Sequence, residues 1–127
     1  MAYRTLVPLC DRIGRERIQI VIDAFYRRLS ADDRLGHHFE RVSDFPAHVR
    51  RIADFWYQSL GGRLDEPPTI DMVARHAPLH LTHADLERWF EHFDATTNEF
   101  LDPAVAQDWQ RLARGIASRL EQEVIRK

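Results

Sequence analysis

The sequence predicts an all-α fold, and three observations support this prediction. Apolar residues recur every three or four positions over long stretches, as they do on one face of a helix. No stretch of any length alternates apolar and polar residues in the manner of a half-buried strand. Proline, glycine and cap-forming residues delimit four substantial helical stretches and some shorter ones. With 127 residues, the chain is long enough to fold as a single domain over 1–127 without disulfides or a structural metal.

The first long helix is predicted over residues 11–29, after an N-terminal extension of residues 1–10. Its apolar residues keep helical spacing, and they are Ile18, Val21, Ile22, Phe25, Tyr26 and Leu29. Ser30 and Asp33 then resemble a cap for a short helical turn that runs through Leu35. The next four residues, Gly36-His37-His38-Phe39, are expected to form a connection.

A second long helix is predicted over residues 45–60. The run Ser43-Asp44-Phe45-Pro46 is a start signal, because it sets a cap-competent side chain ahead of a proline whose fixed φ suits the first turn. The pair Gly61-Gly62 provides the matching stop.

Two short segments and two further long helices complete the chain. Adjacent prolines make residues 63–68 a loop, and residues 69–76 have room for about two helical turns before Pro78. A third long helix starts at Thr82, and Asp102-Pro103 ends it and caps a fourth. The apolar stripes are Leu86, Trp89, Phe90, Phe93, Thr97 and Phe100 in the third helix, and Val105, Trp109, Leu112, Ile116, Leu120 and Val124 in the fourth.

The composition excludes several classes of function. The 18 Lys and Arg residues are interspersed with 20 Asp and Glu residues, so we expect binding to neither nucleic acid nor a membrane surface. Cys10 is the only cysteine, which rules out an intramolecular disulfide or a cysteine-cluster metal site. No apolar run approaches the ~20 residues that span a bilayer, and the N-terminus lacks the apolar core of a signal peptide. We therefore expect a cytoplasmic protein, and we expect it to be a monomer.

Two of the seven histidines stand beside apolar helix faces. His76 precedes the helix-stopping Pro78, and His48 shares a helix face with Ile52 and Phe55. Two helices can thus present imidazoles to one apolar slot, which suits a flat, metal-bearing ligand such as haem. The other five are expected to be solvated, one of them directly after a helix cap; these are His37, His38, His80, His92 and the capped residue His83.

The order of these residues resembles the truncated haemoglobins, and most of all the group III branch of the bacterial truncated globins. The resemblance extends from about residue 18 to residue 124, and it implies a two-over-two helical sandwich that encloses haem b. Gly14 stands alone where groups I and II have a Gly-Gly pair, which favours group III and argues against a ligand tunnel like that of group I. The resemblance to the truncated haemoglobins rests on Phe25-Tyr26, Phe39, His48, Ile52, Phe55, Trp56, His76-Ala77-Pro78-Leu79 and Trp89.

The resemblance also implies a role for most of these residues. His76 resembles the proximal iron ligand, and its second ring nitrogen is expected to bond a carbonyl near Met72 or Val73. The nearest candidates in the sequence to bind the two haem propionates are Arg51, three positions after His48, and Arg75, next to His76. Tyr26, His48 and Trp89 resemble the distal groups of the haem pocket in the truncated haemoglobins. Phe39 resembles the phenylalanine that stacks on the porphyrin. Further haem contacts are expected from Ile52, Phe55 and Leu79.

These expectations lead to a globin that reversibly binds O₂, NO or CO. The same pocket favours an alternative, a haem enzyme that oxidises NO or reduces peroxide with an unidentified reductase. His48 could be a hydrogen-bond donor or a gate that swings to solvent. A third hypothesis is a haem-free interaction module whose last helix presents Trp109 and Leu120 to a partner. A di-iron bundle is disfavoured, because Glu-x-x-His pairs are not repeated on two helices.

Overall fold

The computed structural model describes residues 7–125, and it confirms the all-α prediction. This part of the chain contains six α-helices, two short 3₁₀ turns and no strand. None of these helices is long and apolar enough to cross a membrane. The α-helices are α1 Leu9–Ile13, α2 Arg15–Ala31, α3 Phe45–Ser59, α4 Met72–His76, α5 His83–Phe100 and α6 Pro103–Val124, and the 3₁₀ turns are Gly36–Phe39 and Ala77–Leu79.

The predicted first helix is divided in two at Gly14. This residue has φ +94°, a backbone conformation that glycine adopts without a steric penalty. Helix α1 turns away there and docks by a hydrogen bond from the Cys10 amide to the Leu60 carbonyl, 2.9 Å long. Of the predicted extension over residues 1–10, residues 1–6 lie outside the described range, while Leu9 already belongs to α1.

The cap predicted after α2 is wrong in its residues. Ser30 lies inside α2 and donates to the Tyr26 carbonyl at 2.9 Å, so it caps nothing beyond the helix. Asp32, and not Asp33, accepts the backbone amides that follow, from Arg34 at 2.7 Å and Leu35 at 3.0 Å.

The corner after α2 depends on a close approach at Gly36. A Cβ at this position would lie 2.5 Å from the Ser30 carbonyl oxygen, so only glycine fits without a shift of backbone. The chain then forms the 3₁₀ turn Gly36–Phe39, which brings His38 and Phe39 under α2.

The starts of α3 and α5 are as predicted, because local side chains determine them. Asp44 accepts the Ala47 amide at 3.1 Å. Thr82 and Asp85 exchange hydrogen bonds of 3.1 Å and 3.0 Å in a complete capping box. His83 is the first residue after this cap, as expected.

The segment that carries His76 differs from its prediction. Helix α4 has only five residues and is capped by Asp71, which accepts the Ala74 amide at 3.0 Å. Pro78 does not end the helical conformation abruptly, because it fits the start of the 3₁₀ turn Ala77–Leu79 that follows α4. His80 then reverses the chain with φ +53°.

Two helix pairs, α2 with α3 and α5 with α6, form the two-over-two sandwich. Helix α2 packs on both α3 and α5, and aromatic rings fill the space between them. Phe93 is fully buried between Trp56, at 5.8 Å, and Trp109, at 5.5 Å between ring centroids. Trp109 is itself 0% exposed, so the predicted partner-binding face through this residue is wrong.

Candidate functional site

A cavity of about 320 Å³ lies among α2, α3, α4, α5, α6 and the corner after α2. Its size falls in the range of about 300–1,000 Å³ that is typical of small-molecule sites, and its walls are mainly apolar. The structure brings all ten residues that the sequence singled out onto the walls of this one cavity. They are Tyr26, Phe39, His48, Arg51, Ile52, Phe55, Arg75, His76, Leu79 and Trp89.

The His76 ring is held in one orientation by its own helix. Its Nδ1 atom lies 2.7 Å from the carbonyl oxygen of Met72, one turn earlier, as predicted. Because a carbonyl oxygen can only accept a hydrogen bond, Nδ1 carries a proton, and in the neutral ring Nε2 then keeps a free lone pair. The side chain can therefore act as a neutral nitrogen ligand.

Tyr26 is buried on the α2 wall of the cavity and is 9% exposed. Its ring packs edge-on against Phe39 at 5.7 Å and His48 at 6.4 Å between centroids. Burial raises the pKa of the Tyr26 hydroxyl well above its ordinary value, so the group stays protonated. The hydroxyl bonds to no other residue in the described range, and its proton is available to a molecule in the cavity.

His48 lies on the α3 wall and is partly buried. Burial lowers the pKa of this imidazole, and the nearby Arg51 and Arg75 guanidinium groups lower it further. The ring is therefore neutral at pH 7 and has one N–H to donate.

Trp89 is fixed by the aromatic core. Its indole stacks on Phe93 with a centroid distance of 5.1 Å and an angle of 12°, and it meets the edge of Phe25 at 4.9 Å. One side of the ring system faces the core and another part lines the cavity. Its position on the cavity wall is thus set by residues that do not line the cavity.

The charged residues of the cavity are distributed unevenly. Arg51 and Arg75 are exposed and form no ion pair with any residue between 7 and 125. The carboxylates of Asp85 and Glu121 also line the cavity, but each has a partner. Asp85 pairs with Arg34 at 3.0 Å, and Glu121 pairs with His83 at 2.7 Å. The α3 and α4 side therefore offers unpaired cations to an anionic ligand.

Two histidines that were expected to be solvated are not. His38 lines the cavity, and its Nε2 atom is buried without a hydrogen-bond partner in the described part of the chain. Burial lowers the pKa of its imidazole, with the adjacent His37 acting in the same direction. His92 bonds to Asp32 at 2.7 Å with a side chain only 23% exposed. Both expectations were wrong, because the residues that bury the His38 and His92 side chains are distant from them in sequence.

Asp32 anchors the corner that carries His38 and Phe39. Its side chain is 1% exposed and accepts from Arg88 Nε at 2.5 Å and from His92 at 2.7 Å. It also accepts the two backbone amides of the corner. Burial alone would raise the pKa of Asp32, but the hydrogen bonds outweigh it and hold the pKa well below its usual range.

Sequence reasoning missed cavity residues that come from α5, from α6 and from the loops. Periodicity showed that α6 has an apolar face, but not which part of that face meets the cavity. The missed apolar lining residues include Leu35, Val42, Ile70, Leu81, Leu86, Ile116, Leu120 and Val124.

The family model described as "Bacterial-like globin" matches residues 8–114. The 2/2 haemoglobin from Synechococcus sp. PCC 7002, solved in the cyanomet state and with covalently attached haem, superposes with a TM-score of 0.81 at 20% identity. The truncated haemoglobin from Tetrahymena pyriformis, in its Fe(III) form, gives 0.78 at 20% identity. Each alignment covers 95% of this chain and 100% of the other. No curated protein sequence matches the chain significantly.

Proposed function

Since this chain belongs to the bacterial-like globin family, we propose that it binds haem b in the described cavity and reversibly binds O₂, NO or CO at the iron. The observation that carries the proposal is the arrangement of His76. Its Nδ1 is hydrogen-bonded to the Met72 carbonyl, and its Nε2 has no partner among the described residues. The ring shares one mainly apolar cavity with three hydrogen-bond donors, which are Tyr26, His48 and Trp89. The truncated haemoglobins of similar fold, one of them with covalently attached haem, support the same assignment.

The residues present fit the chemistry of this group. Haem is flat and apolar except for two propionates, and the protein would have to supply at least one strong ligand to its iron. The cavity offers apolar walls, two unpaired guanidinium groups and one imidazole with a free lone pair. The partnerless Nε2 of His38 also indicates a cavity that a bound group completes, because buried polar atoms are normally hydrogen-bonded.

When bound, haem supplies an iron at which a diatomic gas can bind. His76 would hold the iron through Nε2, and the Met72 carbonyl would fix the ring and raise its basicity by accepting from Nδ1. Arg51 and Arg75 would bind the propionates.

Tyr26, His48 and Trp89 would face the gas. Each has a proton to donate, and the Tyr26 hydroxyl is dry enough for its hydrogen bond to be strong. His48 would be either a third donor or a gate, because its partly buried ring is neutral and held by no hydrogen bond to the described residues. We assign the chain to group III on its lone Gly14.

Haem titration tests the proposal. The haem-free protein is expected to bind haemin in a 1:1 ratio and develop a Soret band, and His76→Ala is expected to lose most of this affinity. His80→Asn is a matched control, since His80 lies outside the cavity and asparagine tolerates its left-handed backbone. Wild-type protein that stays colourless with haemin, or His76→Ala that binds as tightly as His80→Asn, refutes the assignment.

The second candidate is NO oxidation or peroxide reduction, with electrons from an unidentified reductase. The observation that favours it is the number of donors on one cavity, because several donors can stabilise negative charge that develops on oxygen. If Tyr26→Phe and Trp89→Leu alter O₂ release but leave NO and peroxide turnover unchanged, the catalytic assignment of these residues fails.

We place the protein in the cytoplasm, in keeping with its single buried cysteine.

A further inference from the structure

A surface groove of about 650 Å³ between α4 and α6 is not used by the proposed function. Its floor is apolar, and Val73 on its α4 side is 36% exposed. Three of its residues also line the haem cavity from the other side, so the groove lies directly behind the cavity wall. The groove consists of Met72 and Val73 with the α6 residues Asp108, Arg111, Leu112, Gly115, Ile116, Arg119, Leu120 and Glu123.

Gly115 in this groove has no explanation within its own chain. It lies in the middle of the 22-residue helix α6, where glycine stabilises a helix less than alanine does. A Cβ built on it would meet nothing within 4 Å, so no neighbour in the described chain requires glycine there. A residue without a side chain does, however, allow another molecule to approach the helix backbone closely.

We propose that two copies of this chain pair through the groove, with their α6 helices packed antiparallel across a two-fold axis. The proposal replaces the expectation of a monomer and does not depend on haem binding. Each copy contributes the same patch, so every contact is made twice.

The charged residues of α6 favour a second copy of this chain as the partner, and they favour antiparallel packing of the two α6 helices. When Leu112 of one copy lies over Gly115 of the other, the antiparallel order places Arg119 opposite Asp108, and the two-fold axis repeats the pair. Arg119 forms no ion pair with any residue described in its own chain. Asp108 already lies 3.0 Å from Arg12 and 3.5 Å from Arg111, and Arg119 of the other copy would be its third cationic partner.

The alternative arrangements oppose like charges. A parallel two-fold pair would place Asp108 against Asp108 and Arg119 against Arg119. An antiparallel pair centred on Gly115 would place Arg111 opposite Arg119. Juxtaposed like charges disfavour both arrangements, and the register with Leu112 over Gly115 avoids both conflicts.

Sedimentation velocity over a range of protein concentrations tests the proposal, on both the haem-loaded and the haem-free protein. A concentration-dependent shift from one to two chains is expected. Arg119→Glu is expected to raise the dimer dissociation constant at least about tenfold, because it creates two like-charge pairs. The double variant Arg119→Glu with Asp108→Lys should form the dimer again, because positions 119 and 108 of opposite copies then carry opposite charges. Arg27→Glu, an exposed change on α2, is the control and should have no effect.

Gly115→Gln keeps the test independent of folding. The added side chain enters open space, so the helical circular dichroism should match wild type while the dimer is lost. A protein that stays monomeric at every concentration overturns the proposal, and so does a dimer that Gly115→Gln leaves intact. A dimer that is lost with Gly115→Gln but not recovered by the charge swap overturns the proposed register.

Discussion

Asp32 is the buried charge on which the corner of the cavity depends, and its removal should be costly. Asp32→Asn keeps the size of the side chain but removes the charge that Arg88 and His92 contact at 2.5 Å and 2.7 Å. A hydrogen bond to a charged group contributes about 1.5–3 kcal/mol, and the Arg88 side chain, 45% exposed, can recover water when its partner is lost. We therefore expect the free energy of unfolding at pH 7 to fall by about 2–4 kcal/mol.

The pH dependence of this loss identifies its cause. The pKa of Asp32 is lower in the folded protein than in the unfolded chain, so the carboxylate stabilises the fold above its unfolded pKa. That contribution is lost as the pH falls through the folded pKa. The difference between wild type and Asp32→Asn should thus be largest near neutral pH and shrink below about pH 4.

Guanidinium denaturation of both proteins at a series of pH values measures this difference. Asp33→Asn is the matched control, because Asp33 is the exposed neighbour and makes no side-chain hydrogen bond to a residue described here. An Asp32→Asn difference that is as large at pH 3 as at pH 7 would refute the electrostatic reasoning. A difference no larger than that of Asp33→Asn would refute the anchoring role itself.

Three further predictions concern the cavity and the groove. Arg51→Glu should speed haemin transfer to an acceptor globin several-fold, because a carboxylate would then face a propionate; Arg27→Glu should leave the transfer rate unchanged. Tyr26→Phe should speed O₂ release about tenfold, the equivalent of one hydrogen bond of about 1.4 kcal/mol, and stopped-flow mixing with CO measures this rate. Gly115→Ala should raise the free energy of unfolding by about 1 kcal/mol in dilute protein, and an unchanged value would show that α6 gains nothing from alanine there.

The parts of the fold that were predictable from sequence are those that neighbouring residues determine. Asp44 caps α3 and the Thr82–Asp85 box starts α5 through hydrogen bonds that span three residues. The break at Gly14 was not predicted, since its signal is only one glycine and the cause is the docking of α1 on Leu60.

The same distinction applies to the site. The ten residues that the sequence singled out share one cavity, because helical spacing and resemblance to a family describe helix faces well. The environments of His38 and His92 were not predictable, because Asp32 lies 60 positions before His92 and the cavity over His38 forms only when α5 and α6 are in place.

Helix α5 connects the anchored corner to the donors of the cavity. Arg88 and His92 on one face hold Asp32, while Trp89 on the adjoining face stacks on the fully buried Phe93. A rotation of α5 about its axis would break the ion pair on one face and the aromatic stack on the other. The Trp89 indole is therefore fixed relative to the corner that carries Phe39 before any ligand enters. Such preorganisation allows a donor to stabilise charge without a reorganisation cost, and both proposed functions, gas retention and oxygen chemistry, would require this property of the wall.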